Sequence, residues 1–176
     1  MKLIVPLLFL YLFSSLSKVD ILTPDERSLY TKIMSYRASK GLPKIAISKS
    51  LTIVAQTHAN DLDVNRMDTK KGCNLHSWSD KGDWTSCCYT NDHKRASCMW
   101  SKPSELTNYT GAGYEIAHWS SNPVTPSGAL LGWQNSKGHN EVIVNKGIWK
   151  TSKWRAIGIG MKNNYAVVWF GEEADV

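Results

Sequence analysis

Two imidazoles and one carboxylate carry the clearest chemical signal in this sequence. The segment Trp133-Gln134-Asn135-Ser136-Lys137-Gly138-His139-Asn140-Glu141-Val142-Ile143-Val144-Asn145 reads as a helix end, a glycine stop, a histidine and an apolar, strand-like run. Glycine takes the left-handed conformation that ends many helices. With Gly138 in that role, His139 falls where the chain turns, its ring free to face a cleft. Asn74-Leu75-His76-Ser77-Trp78 and Gly113-Tyr114-Glu115-Ile116-Ala117 set a second imidazole and a carboxylate beside loop or turn residues. The three side chains are candidates for a single polar site.

The elements that must position them are legible in part. Thr23-Pro24-Asp25-Glu26 is a helix start: threonine caps, proline suits the first helical position and Glu26 closes a capping box. Leu29, Ile33 and Arg37 continue a helical face to about Ser39, with Tyr30 and Met34 alongside, and Gly41-Leu42-Pro43 ends it. Ser48 caps a second helix whose Leu51, Val54, Ala55, His58 and Leu62 share one buried face. On that face His58 reads as a core or cleft-wall histidine. Thr125-Pro126 opens a helix with Ala129, Leu130 and Trp133 as its apolar side. Ala156–Met161 and Tyr165–Phe170 are strands joined by Lys162-Asn163-Asn164, and Val142–Val144 reads as another short strand. Residues 65–112 lack periodicity, and Glu105–Tyr109 within them is ambiguous. Helices early and strands late predict an α+β domain with helices on a small antiparallel sheet.

The chain has 176 residues, enough for one domain. Residues 1–17, with Lys2, an apolar run from Leu3 to Phe13 and small residues at Ser15-Leu16-Ser17, read as a secretory signal peptide. The run is too short to span a bilayer, which takes about 20 apolar residues. Export places the four cysteines where disulfides persist. A bond between neighbours Cys87 and Cys88 strains the backbone, so each pairs with Cys73 or Cys98, in either arrangement. Zinc held by Cys73, His76, Cys87, Cys88 and His93 is the rival reading. The net charge of +6 comes from scattered Lys and Arg, with a modest cluster from Lys146 to Arg155. There is no basic stripe with interleaved aromatics of the kind that binds nucleic acid. Of the eight tryptophans, Trp133, Trp149, Trp154 and Trp169 read as core. Trp78, Trp84, Trp100 and Trp119 are candidates for stacking on a ligand beside the cleft. Asn108-Tyr109-Thr110 is a glycosylation sequon. Ser77 beside His76 and Ser136 near His139 lack the Gly-x-Ser-x-Gly elbow of a serine hydrolase.

Five segments in order resemble one family. Tyr36-Arg37 with Gly41-Leu42-Pro43, Ala55-Gln56-Thr57-His58-Ala59, the His76 loop with Gly113-Tyr114-Glu115, Gly132-Trp133 through Gly138-His139, and Ile157-Gly158-Ile159-Gly160 are similar to the CAP superfamily of SCP domains. The resemblance covers about Asp25 to Phe170. It implies a single domain over residues 18–176 with a three-layer α-β-α sandwich and a large cleft. It matches His76, His139 and Glu115 to the family's cleft residues. The family's second glutamate falls at Ser136, with Gln134 and Asn135 nearby, and Glu141 is a candidate substitute. His76, Glu115 and His139 form an expected three-ligand site for a divalent cation, zinc above all. The resemblance implies a secreted or periplasmic protein with no membrane span after signal cleavage. Its cleft would bind a cation and an extracellular small molecule, lipid or glycan. The alternative is a metal-dependent peptidase or esterase using cation-activated water.

Overall fold

The computed structural model describes residues 20–175, so the signal peptide expected at residues 1–17 lies outside the described residues. In chain order the elements are α1 (Pro24–Ser39), β1 (Ala46–Ile47), α2 (Lys49–Asn65), α3 (Ala96–Trp100), α4 (Lys102–Leu106), β2 (Tyr114–Trp119), α5 (Pro126–Gln134), α6 (Lys137–Ile143), β3 (Ala156–Lys162) and β4 (Tyr165–Gly171). Helix α1 opens as its sequence predicts. Thr23 Oγ1 accepts from the Glu26 N–H, and Glu26 accepts from the Thr23 N–H at 2.8 Å. The same buried carboxylate accepts from Gln56 Nε2 and from the Met161 N–H, at 2.9 and 3.0 Å. One capping residue thereby ties α1 to α2 and β3.

The sheet order is β1-β3-β4-β2. It is antiparallel except for β1, which pairs parallel with β3. Strand β4 lies in the middle and is buried along its whole length. Its alternate residues feed two cores. Ala166, Val168 and Phe170 pack toward α1, α5 and α6, while Tyr165, Val167 and Trp169 pack toward α2. The result is the three-layer sandwich the resemblance implies, with β2 as a free sheet edge.

Helix α2 lies directly on β3, and two glycines make that possible. A Cβ at Gly158 would sit 2.1 Å from the Leu51 carbonyl carbon, and one at Gly160 would sit 2.2 Å from the Ala55 carbonyl oxygen. Both obstacles are backbone, so the helix itself would have to lift. Gly158→Ala is expected to cost about 1–3 kcal/mol of stability through overpacking. Denaturant titration checks this, and an unchanged midpoint would refute the close contact.

Residues 137–143 form helix α6, which corrects the expectation of a strand at Val142–Val144. Gly138 lies inside this helix rather than ending the previous one. The break falls earlier, where α5 ends at Gln134 and the chain restarts at Ser136. The Asn140 N–H donates to Ser136 O at 2.8 Å and the Val144 N–H to Asn140 O at 3.0 Å, closing helical turns. Val142 and Ile143 enter the core from that turn, and burial overrides their β preference. Helix α6 is fixed from α1. Buried Arg37 donates to Ile143 O at 2.5 Å and Asn145 Oδ1 at 2.7 Å, and Tyr36 Oη donates to Asn140 Oδ1 at 2.9 Å. The Tyr36-Arg37 pair therefore orients the helix that carries His139.

The disulfides are Cys73–Cys88 and Cys87–Cys98, one of the two expected arrangements. All four sulfurs are bonded to one another, which overturns the zinc reading of Cys73, His76, Cys87, Cys88 and His93.

Candidate functional site

Helix α2 presents His58 to the interior at the helical spacing set by Leu51, Val54, Ala55 and Leu62. Opposite it, edge strand β2 turns Glu115 inward. His58 Nδ1 lies 2.5 Å from Glu115 Oε2, and His58 Nε2 lies 3.0 Å from Ser77 O. A carbonyl only accepts, so Nε2 carries a proton. A second proton must lie between Nδ1 and Oε2, since two bare acceptors would repel at that distance. His76 Nδ1 lies 2.6 Å from the other carboxylate oxygen, Oε1. Glu115 is thus a buried bridge between two imidazoles.

Electrostatics support this arrangement. Burial raises the Glu115 carboxyl, but the charge and hydrogen bonds of His58 and His76 outweigh it and hold the group below its ordinary value. His58 stacks on Trp78 with ring centroids 4.1 Å apart and planes 6° from parallel. The Lys102 ammonium also approaches the Trp78 ring, 5.7 Å from its centroid. The indole faces are therefore used for cation–π contact rather than for a ligand.

The loop carrying His76 is held by α2. Asp61, one turn beyond His58, accepts from the Ser79 N–H at 2.8 Å and from Ser79 Oγ at 2.5 Å. Asn74 Oδ1 accepts from the His76 N–H at 3.0 Å. Ser77 Oγ accepts from the Tyr89 N–H at 2.9 Å, so this hydroxyl is a structural link in the loop.

His76, Glu115, Ser136 and His139 line a common cavity of about 460 Å³, whereas Gln134 does not line it. The His76 and His139 ring centroids are 6.4 Å apart. Burial, with the nearby charges of His76 and His118, pushes the His139 imidazole down to about 4, against an opposing pull from Glu115. It is a neutral ring at neutral pH. Glu141 also lines the cavity, but its carboxylate rests against Gly147. Tyr89, His93 and Tyr114 also line the cavity, with Tyr89 Oη 3.1 Å from His93 Nδ1, and the rest of the wall is largely apolar, with Met99, Trp100, Ile116, Val142, Ile148 and Trp149. Trp149, expected in the core, is half-buried and faces the cavity. Trp78, by contrast, is wholly buried.

The residues do not fit the three-ligand cation centre expected at His76, Glu115 and His139. Both Glu115 oxygens are taken by imidazole nitrogens. Among the described residues, no three His, Cys, Asp or Glu side chains are grouped to hold a metal ion. His58, readable from its spacing as a core or cleft-wall histidine, proves to be a buried partner of the site carboxylate. Its helical face was visible, whereas its partner, 57 residues away, was not.

An α-β-α sandwich with a histidine-flanked cleft along a sheet edge defines the SCP class of domain. The chain belongs to the cysteine-rich secretory protein family, whose profile matches residues 30–168. No curated protein matches it. Three solved structures share the fold at low identity. An outer surface protein of Borrelia burgdorferi is 20% identical with a TM-score of 0.57, covering 88% of this chain and 96% of that one. An extracellular SCP-domain protein of Bacillus anthracis is 18% identical with a TM-score of 0.53, covering 86% of this chain and 44% of that one. A cysteine-rich secretory protein of Staphylococcus aureus is 19% identical with a TM-score of 0.52, covering 85% of this chain and 39% of that one. No helix among the described residues is long and apolar enough to cross a membrane.

Proposed function

We propose that this protein is an exported binding module whose cavity takes a small, largely apolar molecule with one polar end. The observation that supports this reading most directly is the cavity itself. It encloses about 460 Å³, within the range of small-molecule sites. Its wall is mostly aromatic and aliphatic, with two imidazoles placed close together at the polar part. His76 Nδ1–H donates to Glu115, so in the neutral ring Nε2 is an acceptor toward the cavity. His139 adds a neutral ring, which donates from one nitrogen and accepts at the other. That pair suits a hydroxyl or carboxyl end group. An amphiphile of lipid type satisfies both halves of the site better than a glycan, whose many hydroxyls would find few partners. Export rests on the signal-like residues 1–17, the two disulfides and the extracellular or surface relatives. The metal-dependent hydrolase alternative finds no three-residue donor set among the described residues.

Gly138 supplies the test. It lines the cavity, and a Cβ added there meets nothing within 4 Å. Its helical position also favours alanine over glycine by up to about 1 kcal/mol. Gly138→Leu is therefore expected to keep or raise the melting temperature while filling the cavity. Binding of a dansyl-labelled fatty acid, followed by its fluorescence, should weaken at least roughly tenfold in Gly138→Leu, as expected when a ligand clashes with a filled pocket. Equal binding by wild type and variant would defeat the cavity reading.

A further inference from the structure

The segment Lys146-Gly147-Ile148-Trp149-Lys150-Thr151-Ser152-Lys153-Trp154-Arg155 has four cations and no acid. Its first residues form a tight turn, Gly147–Trp149, at the mouth of the cavity. Trp149 anchors this turn, with its ring 5.1 Å from Tyr114 and 5.6 Å from Trp154. Ile148 lies at the rim of the cavity and is 83% exposed, the most exposed large apolar side chain among the described residues. Trp100, 39% exposed, lines the same cavity and packs its edge against Tyr114. Nothing in the fold requires an isoleucine at the tip of a rigid, solvent-facing turn.

The cations beside it are equally unspent. Lys146, Lys150, Lys153 and Arg155 are all exposed, and none forms an ion pair among the described residues. Other lysines, such as Lys32, Lys44 and Lys162, are likewise without an ion pair among the described residues, so what sets these four apart is their clustering around an exposed apolar tip. Of the nearby acids, Glu141 on α6 rests against Gly147 and Glu172 accepts from the Lys153 N–H at 3.0 Å, so neither forms an ion pair with these cations. An apolar tip between free lysines matches the chemistry of a membrane interface, with an acyl boundary for the tip and anionic headgroups for the cations.

We propose that the cavity mouth is a docking surface for anionic lipid bilayers. Ile148 enters the interface, Lys146 and Lys150 contact headgroup phosphates, and Lys153 and Arg155 extend the positive field. Docking turns the cavity opening toward the membrane, so the amphiphile bound at His76 and His139 can be exchanged with the bilayer. The exchange rests on the proposed ligand class, whereas the docking does not.

The test is co-sedimentation of the purified protein with vesicles of equal parts phosphatidylglycerol and phosphatidylcholine, against vesicles of phosphatidylcholine alone. The wild type is expected to bind the anionic vesicles only, and less well as salt rises. Ile148→Asp should lose roughly tenfold in vesicle affinity. The double variant Lys146→Glu, Lys150→Glu should lose roughly a hundredfold or more. It should still bind the dansyl-labelled fatty acid in solution, since neither lysine lines the cavity. Gly138→Leu should show the reverse pattern, losing the soluble probe and keeping the vesicles. If Gly138→Leu binds the probe normally but the tip variants lose the vesicles, the ligand reading fails and docking stands. Docking is overturned if the wild type ignores anionic vesicles, binds neutral ones equally, or is unaffected by the tip variants. The last result would point instead to a protein partner for this rim.

Discussion

Glu115→Ala should lower folding stability by about 3–5 kcal/mol, the cost of breaking a buried charge pair by removing one partner. In a domain of this size that corresponds to a melting temperature roughly 10 °C lower. The reason lies in the hydrogen bonds. His58 is fully buried, its Nε2 proton is committed to Ser77 O, and its Nδ1 faces nothing but Glu115. His76 loses its tether in the same step. Glu115→Gln is the informative companion. Its amide can donate to a neutral His58 at Nδ1 while its oxygen still accepts from His76 Nδ1. It should therefore cost less, about 1–2 kcal/mol. The two variants also differ in acid. The folded value of Glu115 lies below its ordinary 4.5, so its contribution is present above that pH and is lost as pH falls through the folded value. The acid limb should be weaker in the glutamine variant. Thermal unfolding of both variants across pH decides the matter. An alanine variant as stable as wild type would mean that the bridge does not hold the site together.

His139 should dominate the pH dependence above that range. Its imidazole is pushed from an ordinary 6.5 down to about 4 by burial, with His76 and His118 adding to the effect. Between those values the unfolded chain binds the proton more readily than the folded one, so stability rises with pH. The wild type is expected to be fully stable above pH 6.5 and to lose up to about 3 kcal/mol as pH falls to 4. His139→Asn should remove most of this slope. A smaller residue of slope belongs to His118, whose value burial also lowers. An unchanged slope in the variant would show that the ring is solvated rather than enclosed. Loss of probe binding over the same pH window would link the neutral ring to ligand capture.

The sequence made the fold readable because its signals are local. The capping box at Thr23 and Glu26, the helical face through Leu51, Val54 and Leu62, and the two strands around Asn163-Asn164 each lie within one element. Their residues can be compared by spacing alone. The same locality explains the error at Val142–Val144. Three branched residues in a row favour a strand, but the core contacts of Val142 and Ile143, with Arg37 binding the helix end, favour α6. The Arg37 contact spans 106 positions, beyond the reach of any local pattern.

By itself, then, the chain pointed to its layers, to a cysteine framework as one of two pairings, and to His76, Glu115, Gln134, Ser136 and His139 as candidates for one cleft, of which all but Gln134 line the cavity. Only the tertiary structure decided what those groups do. It brought His58 against Glu115 and so occupied both carboxylate oxygens. It tucked Trp78 into the interior, turned Trp149 toward the cavity and left Ile148 at its rim. A carboxylate's role depends on which protons reach its oxygens, and those protons belong to helices and loops that become neighbours only when the sheet assembles.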